Sequence, residues 1–276
     1  MMSYVSRVAK IFLIMTLQVI CLSSAGNAWS AQALTATQIT QLAATLAPTG
    51  KLRVGLYPGS PDSLIQSNGP DGNKGMGFEI GRALANYLNV PFEPIVFPKN
   101  GDVLAAAKEG KIDFVFVNAT PVRAEFLDFV EPTIFSEQSY LVGPKCEIRS
   151  ISEIDRPYMK IGVSGGSTSQ AVLPTILKNA TLIPTKSLKE TEQMLLSGEI
   201  DAFATNKGIL FELADKIPNT LVLEGAWGLE RIAIGIPKGR SSGLPVIAQF
   251  SKEILAQGLV ADAVKRAGMR GVKLNN

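Results

Sequence analysis

Gly110-Lys111-Ile112-Asp113-Phe114-Val115-Phe116-Val117-Asn118 and, 88 residues later, Gly198-Glu199-Ile200-Asp201-Ala202-Phe203-Ala204-Thr205-Asn206 are the two stretches from which the fold is read. In each, a glycine able to stop a helix precedes an Ile-Asp pair, an apolar run and an asparagine. Outward from the first stretch, the pattern predicts a strand over Leu52 to Tyr57 and a helix whose buried face is Ile80, Ala83, Leu84, Tyr87 and Leu88. Asn89 and Pro91 end that helix. A strand over Phe92 to Phe97 follows, then a helix capped by Asp102 and running to Glu109, then a strand over Ile112 to Val117. Around the second stretch the order returns: strand Lys160 to Ser164, helix Ser169 to Lys178 kinked or shortened by Pro174, strand Thr181 to Pro184, helix Lys189 to Ser197, strand Ile200 to Ala204. Gly59-Ser60 also recurs 107 residues later as Gly166-Ser167. Alternating strands and helices argue an α/β fold with mainly parallel sheets, in two similar lobes. Ligands of such sheets sit outside the carboxyl ends of the strands. Two facing lobes therefore present Asn118, Ser60, Asn206 and Ser167 to one cleft.

The chain begins with Arg7 and Lys10, an apolar run from Ile11 to Leu22, and small residues through Ala28, the pattern of a secretory signal peptide over 1–28. A membrane anchor needs roughly 20 apolar residues, more than this interrupted stretch supplies. The expected location is the periplasm, with 29–50 as an N-terminal extension. Removing Arg7 and Lys10 lowers the formal charge from +3 to +1, which attracts no nucleic acid. About 245 mature residues suit two lobes. Cys146 then has no disulfide partner and reads as packing. The chain has no histidine, which removes the usual general base and the commonest metal ligand together. Zinc hydrolase and Ser-His-Asp readings fall with it, and no metal or other cofactor is expected. Ser164 sits in an elbow-like Gly162-Val163-Ser164-Gly165-Gly166 after a strand but lacks a base. Gly75-Met76-Gly77 has its next glycine at Gly81, one residue late for a dinucleotide fingerprint.

Arg123 carries the most chemistry. In Asn118-Ala119-Thr120-Pro121-Val122-Arg123, Thr120 can cap a helix, Pro121 suits its first position, and Arg123 falls in its first turn. A cation there faces the positive end of the helix dipole, mildly unfavourable unless guanidinium and backbone N–H groups share an anion. A solvated arginine paired with Glu125 is the alternative.

Gly77-Phe78-Glu79-Ile80, Leu84-Ala85, Gly110-Lys111-Ile112-Asp113, Thr120-Pro121-Val122-Arg123 and Asp128-Phe129 together resemble the polar amino-acid-binding family of bacterial extracellular solute-binding proteins. The resemblance runs collinearly from about Lys51 to Gly268. It implies a type II periplasmic-binding-protein fold with a two-strand hinge: lobe one over 51–142 plus 232–276, lobe two over 143–231, crossovers near Leu141 to Pro144 and Glu230 to Ala233. It also implies a monomeric, non-enzymatic substrate-binding component that delivers a small carboxylate or amino acid to ABC permease subunits. By the resemblance, Arg123 clamps the ligand carboxylate, Asn118 assists, and Gly166-Ser167-Thr168 forms the opposing turn, one that suits anions. Thr120 at the cap joins the expected site.

Two departures bear on the ligand. Where the family has an aspartate for the ligand's ammonium, this chain has Asn206 followed by Lys207, and a neutral amide cannot compensate a desolvated ammonium. A carboxylate without an amine, or one with a second acid near Lys207, gains weight; the alternative for Asn206 is a turn cap. The first lobe lacks the usual aromatic after two prolines, for which Tyr57 is a replacement or else a strand-end core residue. Trp227 is either a cleft border or structural. Two rival functions remain: a cyclohexadienyl-dehydratase-like enzyme, against which Ser167-Thr168-Ser169-Gln170 offers no acid, and the ligand-sensing domain of a receptor.

Overall fold

The computed structural model describes residues 34–69 and 72–275. The expected signal segment lies outside the described residues. Within the expected extension stands a helix absent from the sequence expectation, α1 (Ala36–Leu46). The Thr35 hydroxyl accepts from the Gln38 N–H, and the Gln38 side chain accepts from the Thr35 N–H at 2.8 Å, a reciprocal cap whose signature is Thr-x-x-Gln. Ala43 and Leu46 are buried, with Ile39 and Leu42 packed on the same core. Leu46 lies over Gly243, where any Cβ would come within 2.4 Å of it.

The alternation then follows as β1 (Leu52–Leu56), α2 (Met76–Tyr87), β2 (Phe92–Val96), α3 (Asn100–Lys108), β3 (Val115–Asn118), α4 (Pro121–Ala124), β4 (Leu127–Phe129) and β5 (Ile134–Val142). It continues with β6 (Lys160–Ser164), α5 (Thr168–Ile176), β7 (Thr181–Thr185), α6 (Leu188–Ser197), β8 (Ala202–Asn206) and α7 (Lys207–Ala214). The chain closes with β9 (Leu221–Val222), β10 (Gly228–Pro237), α8 (Leu244–Ala256), α9 (Leu259–Arg266) and β11 (Val272–Leu274). Lys99, not Asp102, is the cap residue of α3; Asp102 lies in its first turn, where the helix dipole favours an acid.

The repeated Ile-Asp pairs have the same structural task. Asp113 accepts the Arg53 N–H at 2.9 Å, and its own N–H donates to the Arg53 carbonyl at 2.7 Å. Asp201 accepts the Lys160 N–H and donates its N–H to the Lys160 carbonyl, both at 2.8 Å. Each aspartate thus ties the start of its strand to the first strand of its unit, β1 or β6. Because residues 112–114 and 200–201 are spent on these ties, β3 and β8 begin later than expected and end on Asn118 and Asn206.

The sheets are less uniformly parallel than expected. β1 pairs with β2 in parallel, and β6 pairs in parallel with β7 and β8. The long strands β5 and β10 run antiparallel to each other, and antiparallel to β8 and β3 respectively, so the larger sheet is continuous in the order β3-β10-β5-β8-β6-β7. Each parallel β-α-β unit is therefore hung on one of two antiparallel connecting strands. The apolar core falls into two halves. One gathers β1, α2, α8 and α9, with a satellite beneath α3; the other lies around β6, β8 and α6. Tyr140, Leu141 and Val142 of β5 pack in the second half. Trp227 packs there too, its ring 6.2 Å from Tyr140 and its Nε1 donating to the Ser139 carbonyl at 3.0 Å, a structural role.

α1 belongs to the first core, so truncating it has a large effect. Leu46→Ala is expected to lower unfolding free energy by about 2–4 kcal/mol, and Thr35→Ala by about 1 kcal/mol. Urea denaturation reads both, and a loss under about 1 kcal/mol for Leu46→Ala would make α1 peripheral.

Candidate functional site

The ends of β1, β3, β6 and β8 converge on a cavity between the two halves, bounded by Tyr57 and Asp62, Asn118 and Arg123, Ser167 and Thr168, Asn206, and Glu230 of β10. The enclosed space is about 30 Å³, enough for water but far below the several hundred Å³ of a small-molecule pocket. The halves touch along its rim. Gly101 at the start of α3 meets the turn before α5 so closely that a Cβ on it would lie 2.6 Å from the Gly165 carbonyl oxygen, and Gly166 takes φ +77 against the Gly101 backbone. Asn118 Nδ2 donates to Thr168 Oγ1 at 3.1 Å across the same gap. A guest larger than water needs these contacts to part.

Arg123 points inward. Thr120 caps α4 by accepting the Arg123 N–H, and Pro121 opens the helix, which turns the guanidinium back beneath β3. The side chain is 5% exposed, and Nη1 donates to the Asn118 carbonyl at 2.9 Å. Among the described residues no carboxylate lies within ion-pair distance of it, Glu125 included. Burial lowers its pKa, opposed by Glu230 and Tyr57. A guanidinium remains charged regardless, and its remaining N–H groups have no anionic partner among the described residues.

The other expected residues divide into those at the cavity and those behind it. Asn118 lines it, with Oδ1 accepting the Arg231 N–H at 2.8 Å. Ser167 and Thr168 line it at the start of α5, where the Ser167 hydroxyl accepts the Gln170 N–H. Tyr57 lines it and packs against the cores of both halves. Burial drives the Tyr57 pKa well upward, so the phenol stays neutral. Ser60 is fully buried away from the cavity, and Thr120 is occupied as a helix cap. Asn206 lines the cavity, but Oδ1 accepts the Ile209 N–H at 3.1 Å as the cap of α7 and Nδ2 donates to Glu230 Oε2 at 3.1 Å. A second ligand acid beside Lys207 is not supported, because Lys207 Nζ turns to Glu137 at 2.6 Å and is not part of the cavity wall.

Two carboxyl groups at the cavity were outside the expected set. Glu230 is 8% exposed, between exposed Leu229 and Arg231 on β10. Strand alternation would have turned it inward, but an acid is rarely the inward residue. Asp62, in the turn after β1, is 4% exposed, and neither oxygen has a partner at hydrogen-bond geometry. Burial, reinforced by Glu230, pushes the Asp62 pKa up to about 7, with the nearby Asn206 amide offsetting only part. Burial also raises Glu230, against the charge of Arg123, the hydrogen bond from Asn206 and the nearby polar side chains of Thr168 and Gln138. The cleft thus combines one obligatory cation with two acids that resist ionising together.

No family model matches the sequence. Among relatives, the glutamine-binding protein of Geobacillus stearothermophilus is 26% identical over 131 residues, 47% of this chain and 50% of that protein. The ABC transporter glutamine-binding protein of Bacillus subtilis (strain 168) is 24% identical over 161 residues, 58% of this chain and 59% of that one. The chain thus spans roughly half to three fifths of the length of these curated relatives. Solved structures cover more. An ancestral arginine-binding protein bound to glutamine superposes with a TM-score of 0.70 at 25% identity, over 79% of this chain and 97% of that one. An amino acid ABC transporter substrate-binding protein from Streptococcus pneumoniae, bound to L-arginine, gives 0.72 at 20% identity, over 80% and 96%. An ancestral amino acid-binding protein, a precursor of cyclohexadienyl dehydratase, gives 0.69 at 24% identity, over 81% and 98%.

The buried acids predict an unusual stability profile. A carboxyl whose folded pKa lies above its unfolded value favours the fold while protonated, and that contribution is lost as pH rises through the folded value. With no histidine in the chain, no other side chain of ordinary pKa titrates between pH 5.5 and 7.5. Unfolding free energy of the ligand-free protein should fall by about 2 kcal/mol from pH 5.5 to 8. Asp62→Asn should flatten that slope. Urea titrations at both pH values decide, and a flat wild-type profile would count against the buried acids.

Proposed function

We propose that this chain, which has the fold of the type II periplasmic binding proteins of amino-acid ABC transporters, captures a small carboxylate-bearing solute by closure of two lobes and presents it to ABC permease subunits. The observation that carries the reading is Arg123, a buried guanidinium turned into the space between the halves with a single hydrogen bond, to the Asn118 carbonyl. A guest carboxylate there supplies the bidentate partner that the protein itself does not. Ser167 and Thr168, at the start of α5, meet the same anion from the opposite side.

Closure follows from the way the halves are joined. We place lobe one at 51 to about 138 plus 232–276 and lobe two between them. The first boundary is moved back from 142 because Tyr140, Leu141 and Val142 pack with the second core. β5 and β10 then form a two-strand hinge, paired between Ile134 and Gln138 on one strand and Gly228 and Ile232 on the other. A guest that binds both lobes raises the closed population in proportion to its preference for that state. Export to the periplasm through a signal peptide over 1–28, function as a monomer, and the absence of catalysis belong to the same reading. Among the described residues no helix is long and apolar enough to cross a membrane.

A second reading has one observation in its favour. A dehydratase-like enzyme on this scaffold needs a carboxylic acid in the cleft, and Asp62 and Glu230 are such acids, although neither stands after the second-lobe turn. Product formation from prephenate or arogenate would establish that activity; none is expected.

Arg123→Ala tests the main reading. After a thermal-shift screen of amino acids and small organic acids has identified a binder, calorimetry should show Arg123→Ala losing at least about 2 kcal/mol of affinity, roughly thirtyfold. Equal affinity of variant and wild type would remove Arg123 from the site.

A further inference from the structure

We propose that Asp62 and Glu230 form the seat for a positively charged group of the guest, and that seating it expels a proton, so the cleft prefers amine-bearing carboxylates to dicarboxylates. The inference rests on the reading of Arg123 as the carboxylate seat and goes further by naming the other end of the guest.

Residue 206 brings no charge to an ammonium group, and its one acceptor atom already takes the Ile209 N–H. What stands beside it can. Glu230 reaches the cavity from the hinge strand and is steadied there by the Asn206 amide. Asp62 reaches it from the turn after β1, nine-tenths and more buried, with both oxygens unpartnered. An unsatisfied buried carboxyl is destabilising unless something arrives to compensate it. The Asn206 amide, which sequence suggested could not replace an aspartate, instead orients a carboxylate that comes from another strand.

Charge counting then selects the guest. The ionisable groups facing the pair are Arg123 from α4 and Tyr57 from the end of β1, the latter neutral. Lys207 is engaged by Glu137 and is not part of the cavity wall. Once the guest's carboxylate neutralises Arg123, the two interacting carboxyls have no other cation among the described residues that line the cavity. Below about pH 7 they keep at least one proton until the guest supplies positive charge. An ammonium, or a cationic side chain, replaces that proton, which leaves to the buffer. A dicarboxylate would bring a third acid against two and would need protons taken up. Because burial holds Asp62 near 7 in the free protein, affinity for an amine-bearing guest should rise about tenfold from pH 6 to pH 8.

The test is calorimetry of the full mature chain with L-arginine, L-glutamine, L-glutamate and succinate, at pH 6 and 8, in buffers of different ionisation enthalpy. At least one amine-bearing probe should bind with release of close to one proton at pH 6 and about tenfold more tightly at pH 8; succinate should bind at least tenfold more weakly. Asp62→Asn and Glu230→Gln should each weaken the amine-bearing probe at least tenfold at pH 8 and diminish the proton release. Arg123→Ala should weaken every carboxylate probe alike. Binding of an amine-bearing probe without proton exchange, tighter binding of succinate, or an unchanged pH slope in both acid variants would overturn the inference and leave the carboxylate seat standing. Full binding by Arg123→Ala would overturn the carboxylate seat itself, and binding of none of the probes would count against both. The proton count on wild-type protein needs no variant to fold.

Discussion

A guanidinium and two carboxyl groups are held out of water between two halves of one chain, with a phenol beside them. Each would be costly to bury alone. They are tolerable together because their charges oppose and their positions are fixed from different directions: Arg123 by the cap of a short helix, Glu230 by strand alternation on β10, Asp62 by the turn after β1. The rest of the architecture supplies the two surfaces that enclose them.

The repeated unit explains why two halves exist to be shut. Asp113 and Asp201 make the same pair of backbone hydrogen bonds to the first strands of their units. This fixes where β3 and β8 begin and so delivers Asn118 and Asn206 to equivalent ends. From there the copies diverge. The Asn118 amide reaches across the gap to Thr168 and back to β10, whereas the Asn206 amide caps α7 and holds Glu230. The symmetry is structural; the asymmetry lies in what each asparagine holds, Thr168 for one and the acid Glu230 for the other.

On our reading, the opposed charges of Arg123 and the two acids are what a substrate-binding protein uses to orient a guest with a carboxylate and a positive group. The connecting strands matter chemically as well as mechanically. Glu230 sits on the strand that would bend in the proposed hinge, so closure of the lobes and presentation of a carboxylate to the guest would be parts of one movement.

The sequence alone determined the α/β alternation, the pairing of two like units, the cap that starts α4 and the place of Arg123 in that helix's first turn. These follow from local rules: apolar periodicity, glycine and proline at helix ends, and a cation in a helix's first turn. It also contained the Thr35 and Gln38 pattern of α1, legible but unassigned. Only the tertiary structure decided which polar residues meet. Ser60 and Thr120 fell behind the wall because burial and capping claimed them, and Lys207 is paired with Glu137 outside the cavity wall. Asp62 and Glu230 stand 168 positions apart in the chain, and nothing in the local pattern of either says that they share one pocket. Their joint resistance to ionising arises from proximity and burial, which no stretch of sequence carries until the halves have closed upon each other.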